Sequence, residues 1–516
     1  MLPVRLSDSL RREFSLQAPD VVSCVLVAVI NDSGLALARN HSRANHPHSG
    51  HKAENPMTDS IKAETTGDAH KLPLKTCIAW GMGTLSVGAL FNSVNVLLLS
   101  YLVDYVGITA VLAGSLIGWS KIYDAFIDPL VGHVSDRSRS PMGRRRPFLL
   151  WGGVLLAVAS IVMFNVPAEL SPTTKTIYVL LTLMLYATGY ALFSVPYMAM
   201  PAEMTTSPYE RSRLISFRVT AVAIASIFAT FIGPVVIERA GGGQAGHTQL
   251  SFYLAALVIF SAAVCVYGTR TAPRHYDDNP SKLSQLKKFQ LILSNRPFLL
   301  LLVIKLFHLM ALAVTQASMP FLFRRVLGLS DSMLGMYFLL FYGAMMLVQF
   351  IWVPLSRILG KRNLFFVITL IYGLFHVSWY FVEPGEPMVW IYGRAVCLGA
   401  AAGGMLLLGQ SLLPDTMEWD YRVTGLRREG MLAAVYTVFE KVAFALGAAV
   451  TGVFLGVAGY IQGAGMMSVE QPASAVHAIY LLASFVPMTL LLTSLVAIAM
   501  YKLDERALEG EAEVPA

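Results

Sequence analysis

The chain has 516 residues, 55% of them hydrophobic and only 14% charged, with a net charge of +7 and a mean hydropathy of +0.59. Soluble domains carry roughly a quarter charged residues, so a water-facing globular surface and disorder over most of the length are both excluded. The basic residues gather in short segments between apolar blocks, which reads as membrane topology rather than a nucleic-acid footprint; the scattered Cys24, Cys77, Cys265 and Cys397 suggest neither a disulfide framework nor a zinc site.

Residues 1–76 are polar and rich in His, Ser and Asn, and read as a disordered extension. Their one apolar run, Val21–Ile30, is too short to span a bilayer. With Ala36-Leu37-Ala38 it imitates a secretory signal, but the preceding Glu13 and Asp20 are wrong for one. His41, His46, His48 and His51 offer metal ligands, against the plainer reading of a solvated tail. Met57 opens a short polar lead into span one and reads as an alternative start of translation.

From Cys77 to Leu503, apolar blocks of the length a bilayer demands predict twelve spans. They lie near 77–103, 109–134, 147–168, 176–200, 214–237, 251–268, 297–323, 333–356, 364–382, 388–414, 431–459 and 476–501. Span two carries Lys121, Asp124 and Asp128 on one helical face. Ionisable groups inside a span are costly and are functional hypotheses by default. A Lys121–Asp124 salt bridge would account for one acid and leave Asp128 uncompensated. Lys305 and His308 share a face of span seven, where a satisfied core histidine stands against a proton relay. Arg394, near the outer end of span ten, is placed to snorkel. Glu440 and Lys441 in span eleven are about 100° apart, so one reaches the bundle centre while the other meets a neighbouring helix. Trp119, Tyr123, Tyr197, Tyr342 and Trp352 are stacking surfaces for a sugar ring, or helix packing.

Orientation follows from alternate loops. The set 135–146, 201–218, 269–296, 357–363 and 415–430 holds 20 basic residues; the opposite set holds Lys175, Arg239, Arg324 and Arg325. Both termini and the basic loops are therefore expected in the cytoplasm. The polar stretch 269–296 is a linker between halves 77–268 and 297–503, with a tail at 504–516. The turns Gly143-Arg144-Arg145-Arg146 and Gly360-Lys361-Arg362 fall at matching places in the two halves, a weak internal repeat.

Three strings carry a family resemblance. The first is Lys121-Ile-Tyr-Asp124-Ala-Phe-Ile-Asp128-Pro129-Leu-Val-Gly132, continuing to Asp136-Arg137 and Arg144-Arg145-Arg146-Pro147. The second runs from Val195-Pro196-Tyr197 through Pro201 and Glu203 to Tyr209-Glu210-Arg211 and Arg218. The third is Leu413-Pro414-Asp415 with Trp419-Asp420-Tyr421, Gly425 to Gly430, and Lys441. Together they resemble the glycoside–pentoside–hexuronide:cation symporters, the family of the melibiose permease within the major facilitator superfamily. The resemblance implies inward sugar movement coupled to sodium, lithium or protons, with Asp124 and Asp128 as the cation site and Lys441 beside it. It also exposes departures. Ile127 and Ala191 stand where the permease has an Asn and a Thr at its cation site, and Gly88 and Ser194 stand where it has sugar-binding carboxylates.

The expected fold is all-α, twelve spans in two six-helix bundles of an inner-membrane, multi-pass protein, monomeric in lipid. The expected function is cation-coupled symport of a sugar or sugar derivative by alternating access; a lipid or lysolipid carrier on the same scaffold is the alternative. No HExxH, GxSxG or paired metal motif marks an enzyme. Coupling residues are Asp124, Asp128 and Lys441; Lys121, Tyr123, Ser194, Tyr197 and Trp352 line the solute cavity. Asp136, Arg137, Arg144, Arg145, Arg146, Glu203 and Glu210 form a cytoplasmic latch that holds the outward-facing state. No cofactor, metal or nucleic acid is expected. The proton is favoured over sodium, because the oxygens lost at Ile127 and Ala191 weaken a metal-ion cage more than a site for which one carboxylate suffices.

Overall fold

The computed structural model describes residues 71–205, 207–273, 295–425, 428–463, 469–501 and 503, within the unit Ala69–Ala516. The extension as far as residue 70 with its histidines and Met57, most of the linker 269–296, and the tail 504–516 lie outside the described residues. Among these residues all regular structure is helical, with no strand. Ten helices are long and apolar enough to cross a membrane, or eleven if the pair Asp331–Leu347 and Gln349–Leu359, bent by 45°, is one span. The 28-residue helix Ala110–Arg137 is long enough as well, but its lysine, arginine and aspartates hold its hydropathy down.

In chain order the helices are α1 (Leu74–Val106), α2 (Ala110–Arg137), α3 (Arg146–Met163), α4 (Pro172–Met204) and α5 (Pro208–Ile227, prolonged to Arg239). Then come α6 (Gly243–Gly268), α7 (Arg296–Val326), α8 (the bent pair), α9 (Lys361–Val377) and α10 (Met388–Thr424). The last are α11 (Glu429–Val457) and α12 (Ala473–Ala483 with Phe485–Met500). Polar caps and prolines set several starts. Ser171 accepts from the Thr174 amide at 3.3 Å ahead of Pro172, and Asn295 accepts from the Phe298 amide at 2.9 Å ahead of Pro297. Within α12, Pro487 lacks the N–H that the Ala483 carbonyl would otherwise accept, and the helix breaks at Ser484. His376 of α9 fills the gap, its Nδ1 donating to that carbonyl at 3.0 Å. Widened π turns interrupt α1 (Val94–Leu98 and Leu102–Val106), α5 (Phe228–Ile232) and α7 (Leu322–Val326).

The apolar stretch of α1 is 83% buried, whereas in the other nine candidate spans that share is 44–56%. So α1 runs through the interior and the rest present one face outward, where Trp151, Phe126, Trp390 and Val457 are exposed. Lipid is the solvent that suits such a surface. Helix α1 packs on α5 and α6, α3 on α4 and α6, and α2 on α4; α7 packs on α11 and α12, α8 and α9 on α10. Three seams join these sets, α2 on α11, α5 on α8 and the Val94–Tyr101 stretch of α1 on α7.

Candidate functional site

The α2–α11 seam is made of small residues. A Cβ at Gly114 would stand 2.7 Å from the Ala448 carbonyl, and Gly452 and Gly456 face Ala110 and Val111. Close backbones of this kind are how helices associate in lipid, and they bring the polar faces of α2 and α11 together. Lys441 Nζ lies 2.7 Å from Asp124 Oδ2 and pairs with Asp128 as well. The second oxygen of each acid, Oδ1, is buried without a hydrogen-bond partner. One ammonium between two carboxylates leaves this triad with an excess negative charge in a low dielectric, which is costly unless compensated.

Lys121 does not make the contact within its own helix that the spacing allowed. Its ammonium lies over rings, 4.6 Å from the Phe91 centroid and 5.3 Å from that of Tyr186. Tyr190 and Phe444 complete an aromatic wall: Phe91 meets Phe444 edge-on at 5.1 Å, and Lys441 sits 5.7 Å from the Tyr190 centroid. Tyr186 and Tyr190 were legible as an i, i+4 aromatic pair, one turn of α4 before the two candidates taken there. The other member of the α11 pair turns away, as 100° requires: Glu440 meets Lys305 of α7 at 3.0 Å, with that ammonium 3.4 Å from the Tyr436 centroid. His308 is buried and shares a hydrogen bond with Thr369 at 3.2 Å. Arg394 pairs with Glu386 at 2.8 Å.

Residues 79–505 match the MFS/sugar transport protein family. The chain belongs to that family. It is therefore a transporter rather than an enzyme, and a multi-pass integral protein of the inner membrane. It is 26% identical to a glucuronide carrier protein homologue of Escherichia coli over 84% of this chain and 94% of that protein. It is also 26% identical to an uncharacterized symporter of Synechocystis over 86% of this chain and 96% of that one. The fold resembles that of a bacterial homologue of the human lysosomal transporter Spinster, with a TM-score of 0.61 at 14% identity, covering 86% of this chain and 98% of the other.

In this transporter the remaining candidates scatter. Tyr123 of α2 shares a hydrogen bond with Thr188 of α4 at 3.1 Å, close to the triad's helix face. Ser194 is half-buried on α4. Tyr197 is buried in helix packing instead, stacked on Trp80 at 4.8 Å with its hydroxyl donating to the Trp80 carbonyl at 2.8 Å. Trp352 ties α8 to α10 through the Ala400 carbonyl at 2.8 Å. Trp119 is exposed on the other side of α2 from Asp124. Gly88 has no room for an acid, since a Cβ there would be 2.9 Å from that of Ala225.

The latch residues divide as well. Arg144 and Arg145 hold Glu203 at 2.8 and 2.7 Å, and Arg145 also reaches Asp136 at 2.5 Å. Arg146 bonds the Thr269 carbonyl beyond α6. Arg137 is exposed at the end of α2. Glu210 does not join the arginine turn, because α5 starts beside α1: its carboxylate accepts from the Leu72 amide at 3.1 Å and pairs with Arg213 at 3.2 Å. These pairs brace α2 to α6. Besides the Lys441 triad, further pairs cross between the two sets of helices at the opposite end. There Arg325 of α7 meets Asp104 of α1 at 3.1 Å, Tyr460 donates to Asp104 at 2.7 Å, and the Ser332 amide donates to Glu238 at 2.6 Å. Asp104 and Arg325 looked like ordinary loop charges in the sequence, and no pattern there paired them.

Proposed function

We propose that the protein is a cation-coupled symporter of a sugar or sugar derivative. On this reading α2 and the bent α8 also cross the membrane, giving twelve spans in two six-helix halves, α1–α6 and α7–α12, that rock about a central site. The charge asymmetry of the loops supports cytoplasmic termini. The glucuronide carrier homologue among its relatives supports a sugar derivative as cargo.

The observation that carries the coupling is Lys441, a residue of the second half held by both acids of the first. Its ammonium sits where a coupling cation would sit. A proton on one carboxylate, or a cation between the two, competes with it. Displacing Lys441 loosens one bond between the halves, so ion binding alters the balance between conformations. Ile127 and Ala191 bring no side-chain oxygen, which favours the proton. Asp124, Asp128 and Lys441 are the coupling residues; Lys121, Tyr123 and Ser194 are the nearest candidates for solute contacts. The cramped Gly88 favours one other reading, a lipid or lysolipid carrier that needs no sugar-binding acid.

Purified protein in sealed liposomes, given radiolabelled melibiose, sucrose or glucuronate, tests this. An imposed pH gradient should drive concentrative uptake, and a sodium gradient at equal pH should not. One charge moving through 100 mV supplies about 2.3 kcal/mol, nearly fifty-fold accumulation. Stimulation by sodium alone overturns the proton assignment. Transfer of lysophosphatidylcholine with no sugar uptake overturns the sugar reading.

A further inference from the structure

A second polar cluster lies between the halves, apart from the charged triad. Asn92 comes from α1, Ser226 from α5, Gln316 from α7 and Tyr342 from α8, and Asn95 lies three residues beyond Asn92 on α1. Gln316 Nε2 donates to the Tyr342 hydroxyl at 2.7 Å, and that hydroxyl donates to Asn92 Oδ1 at 3.4 Å. Asn92 Nδ2 in turn donates to the Gly88 carbonyl at 2.8 Å and to Ser226 Oγ at 3.3 Å. A line of hydrogen bonds thus runs from the second half to the first. Asn92 and Tyr342 are half-buried, so the line is reached from one side.

Two polar atoms are left over. Gln316 Oε1 and Asn95 Nδ2 are buried with no hydrogen-bond partner, on side chains of residues only 3% and 8% exposed. Buried amides are almost always paired, because leaving one unpaired is costly. Asn95 belongs to the π turn Val94–Leu98, against which α7 packs, and such turns recur at functional sites. One orphan is an acceptor and the other a donor. A carboxylate brings no hydrogen for Gln316 Oε1, and a bare metal cation brings no acceptor for Asn95 Nδ2. A hydroxyl group brings both.

We propose that Asn95 and Gln316, backed by Asn92 and Tyr342, form a subsite for neighbouring hydroxyl groups of the transported solute, with one contact from each half. This rests on the sugar reading above, and names a part of the cargo that the charged triad leaves unread. A solute bound there bridges α1 and α7, so its affinity changes as the halves part.

The test is thermal stabilisation of the purified full-length protein by sucrose, melibiose, glucose and glucuronate. Gln316→Leu and Asn95→Leu each remove an orphan atom. Without sugar Asn95→Leu should melt at the wild-type temperature or above it, and Gln316→Leu, which also loses its bond to Tyr342, at or below it, while in both the Kd for whichever sugar stabilises the wild type rises about tenfold. Tyr342→Phe should weaken binding less. Variants that melt lower yet bind with unchanged Kd overturn the subsite, since the amides are then only structural. Deoxy analogues of the same sugar test the unmodified protein: loss of one hydroxyl of a vicinal pair should cost about tenfold in Kd, and a series in which no hydroxyl matters overturns the subsite without any variant. A wild type stabilised by none of the four sugars overturns the sugar reading and the subsite with it.

Discussion

The two ends of this transporter use charge in opposite ways. At the end where α1 and α7 finish, four charged residues bind across the halves: Asp104 to Arg325, with Tyr460 on the same carboxylate, Arg324 to the Ser100 hydroxyl at 3.3 Å, and Glu238 to the amide of Ser332. At the end of the basic loops, these ion pairs among the described residues lie within one half, and each half has the same device. Arg144 and Arg145 at the start of α3 hold Glu203 at the end of α4; Lys361 at the start of α9 holds Asp415 of α10 at 2.7 Å. Arg146 then bonds the carbonyl beyond α6, and Arg362 bonds the carbonyls of Ile498 and Ala499 at the end of α12, at 3.3 and 2.5 Å. Cations at helix C-termini satisfy carbonyls that lack partners and suit the helix dipole. The repeated Gly-plus-basic turn is therefore a brace, and the crossing pairs are a lock. The conformation is one shut at the α1–α7 end.

The largest effect should come from breaking the lock. Asp104→Ala takes the carboxylate from a guanidinium that is nearly buried, a loss of at most about 3–5 kcal/mol from the shut state. A cysteine placed near Val103 should then become open to an impermeant maleimide, and the exchange Asp104→Arg with Arg325→Asp should restore part of the protection. Unchanged labelling would mean that the pair does not hold the halves together. Arg145→Gln should behave differently. It loses charged hydrogen bonds to Asp136 and Glu203, worth about 1.5–3 kcal/mol each at most, and should lower the melting temperature without altering that labelling. A change in labelling would show that the brace is also a lock. Lys361→Gln removes a more exposed pair, so about 1 kcal/mol or less is expected by the same melt. Glu418→Ala, which removes an exposed i, i+4 partner of Arg422, should shift stability by less than about 0.5 kcal/mol.

Much of the fold was legible because lipid imposes long apolar runs, and the acids of α2 were legible because charges stand out within them. Lys441 was tied to them only through the family resemblance, since nothing local links positions 313 apart. Glu210 was assigned to the latch for its place beside basic residues in the chain, yet the packing of α5 on α1 claims it. Asn92, Asn95 and Gln316 escaped notice because uncharged amides do not interrupt an apolar block as an aspartate does. Trp352 and Tyr197 show the converse: aromatic residues in spans signal packing as readily as binding.

On the proposed function, the acids facing Lys441 couple ion to solute. The direct test is Asp124→Asn in sealed liposomes, comparing concentrative uptake of a transported sugar under an imposed pH gradient with sugar-for-sugar exchange at equal pH. Accumulation should fall to the equilibrium level while exchange persists in a folded, inserted protein. Accumulation retained in the variant would contradict that coupling.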